Sequence, residues 1–513
     1  MRWTFSSVRL RKPHKPGRKC AVIILLTLLL VSALIGRPVL HLAQTAWKDT
    51  AAKEPLKEGF VDDASRMNAM EISEVWPVPL DTREAEAQLA QLLARAHREG
   101  LPISIAGARH SMGGHTLVPG GIMVDMTSFN KMALDETQNL LHVQAGAKWS
   151  QIIPWLDERG KSVAIMQSNN SFTVGGSISV NCHGWQYGCP PIASSVESFR
   201  LMGADGNILN CSRTENSELF SLALGGYGLL GLILDVNLRV VPNERYRLEQ
   251  KIVPAEQALS TFDEMIEDPN VAMTFARMNI TPDQFLRNVI ITVFYHEATP
   301  SETLPELTDL PLAAIRRPVF RGSSNSDYGK KLRWQTETKL QPYLRQSYYS
   351  RNQLLNEGVE IFENRSADYT DILHEYFIPR DGLEEFTTAL HEIIPRHNQD
   401  LLNVTIRQVE EDQDTFLRYA DQPLFAFVML FHQPRTEAGD RQMESLSMEL
   451  IEAALQTGGR YYLPYRLHAT PQQFHRAYPQ ANQFFALKRT YDPGELFQNQ
   501  FYLKYGRSSE MDQ

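Results

Sequence analysis

A chain of 513 residues with 51 Lys and Arg against 60 Asp and Glu has a formal net charge of −9. It is too long for one ordinary domain and carries the wrong sign for a nucleic-acid partner. Its composition, 43% apolar and 22% charged, is that of a globular protein with ample core, and no internal repeat or low-complexity tract interrupts it.

Residues 1–19 hold Arg2, Arg9, Arg11, Lys12, Lys15, Arg18 and Lys19 and no acid. Residues 20–36 are then uncharged and rich in Leu, Ile and Val, the pattern of a signal anchor or a signal peptide. Ser32-Ala33-Leu34-Ile35-Gly36 offers no clear small-residue cleavage site, so a retained transmembrane anchor is expected. The basic flank then stays in the cytoplasm and the bulk of the chain lies on the non-cytoplasmic side. Residues 37–69 read as a polar linker.

Two glycine- and serine-rich loops follow, each after an apolar, strand-like stretch. The first is Ala106-Gly107-Ala108-Arg109-His110-Ser111-Met112-Gly113-Gly114-His115, the second Val174-Gly175-Gly176-Ser177-Ile178-Ser179-Val180. Such loops let backbone N–H groups approach an anion with no side chain in the way, and two of them suit a pyrophosphate held from both sides. Neither is Gly-x-Gly-x-x-Gly or a Walker loop, which excludes a nicotinamide Rossmann site and a P-loop. Cys182, Cys189 and Cys211 read as small buried hydrophobes, and no Cys/His spacing fits a metal site.

Residues 246–455 read as a second domain. Strands are expected at Arg247–Val253, 287–295, His374–Ile378, Val404–Val409 and Leu424–Phe431, and helices at 255–267, Leu383–Ile394 and Arg441–Leu455. Interleaved in this way they predict an α+β sheet with helices on one face. Residues 310–365 stand apart, basic and aromatic, with Arg316-Arg317, Lys330-Lys331, Arg333-Trp334, Tyr343 and Tyr348-Tyr349. They read as a solvated helical insertion or as a surface for membrane or an amphiphilic substrate.

Five ordered motifs carry a resemblance. Residues 101–126 and 143–160, Val174 to Gly184, Val196 to Asp205 with Glu218 to Val240, and Tyr491-Asp492-Pro493-Gly494-Glu495-Leu496-Phe497-Gln498-Asn499 resemble the vanillyl-alcohol oxidase superfamily, whose FAD domain is of the p-cresol methylhydroxylase (PCMH) type. The nearest branches are the alditol and sugar-lactone oxidases and the decaprenylphosphoryl-ribose oxidases. The resemblance implies a two-domain α+β flavoprotein, with residues 70–245 and a returning segment 456–513 binding FAD and 246–455 forming a substrate cap. It implies FAD contacts at Ala106, Gly107, Ala108, Arg109, His110, Ser111, Met112, Ser168, Thr173, Gly175, Gly176, Ser177, Ser179, His183, Gly184 and Ile233, with a covalent bond at His110. His115 is the less favoured partner for that bond.

Oxidising an alcohol carbon needs a hydride acceptor, an acceptor for the hydroxyl proton, and positive charge near the electron-gaining ring. The alditol and lactone branch offers Glu-x-Arg on a cap strand. The matching stretch here is Thr405-Ile406-Arg407, so Arg407 is kept and the carboxylate is replaced. Both branches place an active-site residue near 465–468. The resulting catalytic candidates are Arg407, Glu375, Tyr465, Arg466 and His468. The loop residue Gln167 stands where the lactone branch lines the oxygen route, and its bulk favours a dehydrogenase over an oxidase. The expected protein is a membrane-anchored FAD-dependent oxidoreductase acting on a polyol, sugar or lactone, with a quinone or protein electron acceptor. The alternatives are an oxidase or epimerase component acting on a polyprenyl-phosphate sugar, and a flavin-binding assembly protein without turnover.

Overall fold

The computed structural model describes residues 36–49, 55–297, 304–308 and 313–507, together with Val22. The expected anchor at 20–36 lies, apart from Val22 and Gly36, outside the described residues. Among those residues no helix is long and apolar enough to cross a membrane.

The chain enters through a helix, α1 (Arg37–Lys48), and a short hairpin of β1 (Phe60–Val61) and β2 (Met70–Glu71). The expected linker is therefore folded at both ends. β3 (Glu74–Pro77), α2 (Thr82–Glu99), β4 (Ile103–Ala106) and β5 (Ile122–Asp125) form a parallel three-stranded unit in the order β3-β5-β4. α2 exists because Asp81 caps it, accepting from the N–H groups of Arg83 and Glu84, and because Ala85, Leu89, Leu92, Leu93 and Ala96 recur on one face. That face is buried, and each enclosed leucine contributes about 2 kcal/mol.

β6 (Met132–Asp135), β7 (Leu140–Gln144), β9 (Val196–Met202), β10 (Ile208–Ser212) and β11 (Leu232–Pro242) make an antiparallel sheet in the order β10-β9-β11-β7-β6, with β8 (Lys161–Val163) paired to the end of β11. α3 (Trp149–Asp157) precedes β8, and the second glycine-rich stretch follows it. That stretch is a one-turn helix, α4 (Val174–Ser179), and not a loop. Its cap is Thr173, whose hydroxyl accepts from the Gly176 N–H.

The second region is one eight-stranded antiparallel sheet. It is built from β12 (Arg245–Pro254), β13 (Val271–Met278), β14 (Asn288–His296), β15 (Tyr348–Ser350), β16 (Tyr369–Pro379), β17 (Asp400–Val409), β18 (Leu424–Pro434) and β19 (Arg460–Tyr461). The order is β15-β12-β14-β13-β17-β18-β16-β19. α6 (Ala258–Ile266), α11 (Leu383–His397) and α12 (Glu437–Gln456) cover one face; α5 (Ser217–Ala223) belongs to the first region. β19 falls inside the segment expected to return at 456, so the cap sheet keeps the chain a few residues longer, through its pairing of Tyr461 with Tyr376. Beyond it, Leu496 and Gln498 hydrogen-bond Ile103, and the Gln500 N–H reaches the Gly114 carbonyl.

The insertion is helical but not solvated. α7 (Ala313–Arg321), α8 (Asp327–Gln335), a π-turn and α9 (Gln341–Leu344) lie on the cap side, and α10 (Arg351–Leu355) packs on α3, with Asn352 donating to Asp157 and Arg351 to the Val163 carbonyl. The charges end on specific partners: Arg321 on Asp371, Lys330 on Asp400 at 2.6 Å, and Arg333 on the Leu402 carbonyl at 2.6 Å. Arg321 and Arg333 are buried, which a lone cation does not tolerate. The pairing partners lie far along the chain, so a charge run read in sequence looks solvated when it is not.

Candidate active site

Strand register assembles the site. Glu375 on β16 pairs with Val428 on β18, Val428 with Thr405 on β17, and Thr405 with Arg277 on β13. These residues form one cross-strand row, and side chains on such a row share a face. In the neighbouring row Phe377 pairs with Ala426 and Ala426 with Arg407. The carboxylate missing at Thr405 is thus supplied along the same row, from β16. Residues of opposite parity, such as Tyr376 against Phe386, point to the helices instead.

Glu375 is buried. Its Oε2 accepts from the Tyr465 hydroxyl at 3.0 Å, and its Oε1 lies 2.5 Å from His183 Nε2. Burial first, and then the charge of Glu375, hold the Tyr465 hydroxyl well above its ordinary pKa, so Tyr465 is a donor at every working pH. Arg407 donates to Ser168 Oγ at 3.0 Å. Burial lowers its pKa from the usual value, and the charge of Glu375 works against that. Arg407 and Glu375 thus compensate each other electrostatically on the buried face. Cys182 has its thiol pushed up to about 12 by burial and donates to Gln167 Oε1, so it is a packing residue and not a nucleophile.

The flavin-loop residues face this row. Met112 donates its N–H to the Pro464 carbonyl, and its sulfur receives the Leu373 N–H at 3.3 Å, tying the first loop to the cap. Ala106 is buried at the end of β4, and Arg109 takes a left-handed φ of 56°. The His110 ring lies 4.3 Å from Phe172. A Cβ on Gly107 would stand 2.0 Å from Thr173 Oγ1, and one on Gly113 2.3 Å from the Tyr465 carbonyl, so both glycines are required by close approach. Ala108 and Gly175 are half-buried in the two facing segments, while Gly184 and Ile233 are buried behind them. The Ser179 carbonyl accepts from Tyr227.

Three sequence-based assignments need correction: Ser177, Arg466 and His468. The Ser177 hydroxyl is spent on Trp149, Gln167 and the Thr173 carbonyl, so it faces the core. Arg466 and His468 turn away from Glu375 to Asp440, at 2.6 and 3.3 Å, because alternate residues of an extended segment point to opposite sides. His115 is packed against Tyr227 and Phe501, its pKa driven down to about 3 by burial. Sequence reasoning missed Asp63 and Asn68. Asp63 accepts from the Gly114 N–H at 2.8 Å, and Asn68 donates to the Met112 carbonyl at 3.0 Å. They fix the first loop from within the supposed linker. The only signal was a short polar cluster with no motif. Tyr419 and Tyr462 were also missed; their hydroxyls hold the Asn181 and Val180 carbonyls beside His183.

Several buried polar atoms around this row have no hydrogen-bond partner among the described residues: Ser111 Oγ, His183 Nδ1, Trp185 Nε1, both ends of the Gln186 amide, and Arg407 Nε. Each such atom costs about 1–3 kcal/mol unless something satisfies it. A planar group rich in ring nitrogens and carbonyl oxygens does so, and the half-buried segment 107–111 leaves room along its length. These residues fit FAD.

The fold, with its paired glycine-rich segments and charged cap-sheet face, defines together with two family matches an FAD-dependent oxidoreductase with a PCMH-type flavin domain. Residues 82–212 match the FAD binding domain model, and residues 236–505 match the D-arabinono-1,4-lactone oxidase model. The latter spans more than half of the 513 residues, and the chain belongs to the D-arabinono-1,4-lactone oxidase family. It is similar to decaprenylphosphoryl-beta-D-ribose oxidase of Mycolicibacterium smegmatis, 21% identical over 448 residues that cover 82% of this chain and 92% of the relative. It is similar to L-gulono-1,4-lactone dehydrogenase of Mycobacterium tuberculosis, 23% identical over 425 residues, 81% and 93% of the two chains. L-gulonolactone oxidase of Mus musculus is 30% identical, but over only 30% of this chain and 35% of its own.

Proposed function

We propose that the protein oxidises a CH–OH carbon of a sugar, polyol or lactone-type substrate, and that it works tethered to a membrane by residues 20–36 with its domains on the non-cytoplasmic side. The observation that carries the chemistry is Glu375, buried beside Arg407 on the cap-sheet face and held by Tyr465 at 3.0 Å and His183 at 2.5 Å. When bound, FAD supplies the hydride acceptor at N5. Glu375 receives the hydroxyl proton of the substrate. Tyr465 and His183 orient the carboxylate, and Arg407 supplies the positive charge that a reduced ring requires. His110 is the residue we assign to covalent attachment; acid precipitation that leaves the yellow colour in the supernatant would remove that assignment.

A second reading, oxidation of a lipid-linked sugar, is favoured by the full-length similarity to the decaprenylphosphoryl-ribose enzyme. An anaerobic screen of polyols, sugars, lactones and lipid-linked sugars separates them. Bleaching of the flavin by free sugars or lactones supports the first reading, and bleaching by lipid-linked sugars alone supports the second. No bleaching by any class would favour a flavin-binding assembly protein. We also propose that electrons leave to a quinone or protein carrier in preference to oxygen. The ground for this is the similarity to L-gulono-1,4-lactone dehydrogenase and not Gln167, whose amide is held by Ser177 and Cys182 and so is turned to the core. Reoxidation by air as fast as by a soluble quinone analogue would refute it.

A further inference from the structure

Amphipathic surface helices of soluble proteins bury their apolar stripe. α1 does the reverse. Its inward side is polar: His41 Nε2 lies 2.9 Å from the Gly322 carbonyl, the His41 ring stands edge-on to Tyr328, and Arg37 lies 4.0 Å over that same ring. Arg317 on α7 then clasps Asp49, just past the helix end, at 2.6 Å. Gly322 and Gly329 make the approach possible, since a Cβ on either would fall about 3 Å from His41 Nε2 (2.9 and 3.0 Å). The outward side is Val39, Leu40, Ala43, Ala46 and Trp47, one apolar stripe along the helix. Val39 is 57%, Leu40 59% and Trp47 77% exposed. The helix itself holds no acid, and its ends carry Arg37 and Lys48.

Helix α1 begins at Arg37, directly after the uncharged run 20–36. Seventeen uncharged residues are at the short end of what a membrane-spanning segment needs. A chain leaving the bilayer at Gly36 enters α1 inside the headgroup layer. We infer that the outward stripe of α1 lies in the headgroup layer of an anionic phospholipid bilayer, with Trp47 as its interfacial anchor and Lys48 at a lipid phosphate. This deepens the tethering proposed above and rests on it. The polar inward side then orients the enzyme. α1 packs on α7, Arg316 of α7 pairs with Glu357, and the Glu357 carbonyl accepts from Asn170 at 2.9 Å, in the loop that carries Ser168 and so Arg407. The active-site wall is thereby held at a fixed attitude to the membrane surface.

The test uses the full-length, flavin-loaded protein reconstituted in vesicles of phosphatidylcholine and phosphatidylglycerol, with bromine placed near the head or near the end of the acyl chain. The emission of Trp47 is taken as the difference between the wild type and Trp47→Phe. Headward bromine should quench it by about half and terminal bromine much less, as for a helix lying in the interface. Unquenched Trp47 in protein that resists alkaline carbonate extraction would overturn this inference and leave the anchor standing. Quenching in protein that carbonate releases would keep the inference and remove the anchor. A Leu40→Cys variant gives a second reading. Disulfide pairing between copies in the vesicles, with Trp47 unquenched, would assign the stripe to a second copy of the chain and overturn the proposal.

Discussion

Tyr465 and Arg466 are neighbours in sequence, yet they serve two regions of opposite character. Tyr465 joins Glu375 and His183 in a buried group surrounded by polar atoms still lacking partners. Arg466 joins His468 on Asp440 in a clamp between α12 and the C-terminal segment, with the Arg466 guanidinium at 2.6 Å from one oxygen and the His468 ring nitrogen at 3.3 Å from the other. Both groups are an acid, a histidine and a third residue. The first keeps unsatisfied neighbours that a cofactor and substrate can complete. The second is tied into the structure on both sides, since Arg466 also donates to Asn68 Oδ1 at 2.7 Å, although Arg466 Nε and His468 Nδ1 have no partner among the described residues. What separates the two clusters is place: Glu375 lies on the cap-sheet face beside Arg407, whereas Asp440 lies on a helix.

Substitutions sharpen this contrast. Glu375→Gln should cut turnover by about 10²–10⁴ with flavin content unchanged, the range for loss of a general base. Rates within twofold of wild type would move the base elsewhere. Tyr465→Phe keeps the ring and removes the donor to Glu375, and a fall of about tenfold in kcat is expected, the cost of one orienting hydrogen bond to a charged group.

Asp440→Asn should leave kcat within about twofold but cost about 2 kcal/mol of stability at neutral pH, the linkage value of its shift. The Asp440 pKa falls to about 2, against its burial, through hydrogen bonds and charge from His468 and Arg466. Its folded value lies below the unfolded one, so its contribution is present above about pH 4 and is lost as pH falls toward about 2. Urea denaturation across that window should show a slope in the wild type that the variant lacks. An active-site role for Asp440 would show instead as lost turnover at full stability. Smallest of all, His115→Phe should change neither rate nor flavin attachment, since His115 is neutral and enclosed; loss of covalent flavin in that variant would displace His110 from its assigned role.

Both glycine-rich segments, the strands of the cap and the return of the C-terminus were legible in the sequence, because close backbone approach and strand alternation leave local signatures. The carboxylate at Glu375 was legible only as a motif. Its place beside Arg407 depends on β18 lying between β16 and β17, and no local pattern encodes which strands are neighbours. The direction of Arg466 and His468 depended on a single-residue register, the least legible quantity in an extended segment. The pairing of the insertion's arginines was hidden for the same reason that Asp63 was: their partners lie in another part of the chain.

Ile103, at the start of β4, bridges to Phe497, with its N–H on the Leu496 carbonyl at 2.7 Å and its carbonyl on the Gln498 N–H at 2.9 Å. β4 leads straight into the first glycine-rich loop; β5 covers one of its edges, yet the segment on the other edge is made almost last. During synthesis that edge waits for nearly the whole chain to emerge. A chain cut short before Leu496 leaves that edge of β4 uncovered, and should fold its cap yet hold less flavin than the full chain.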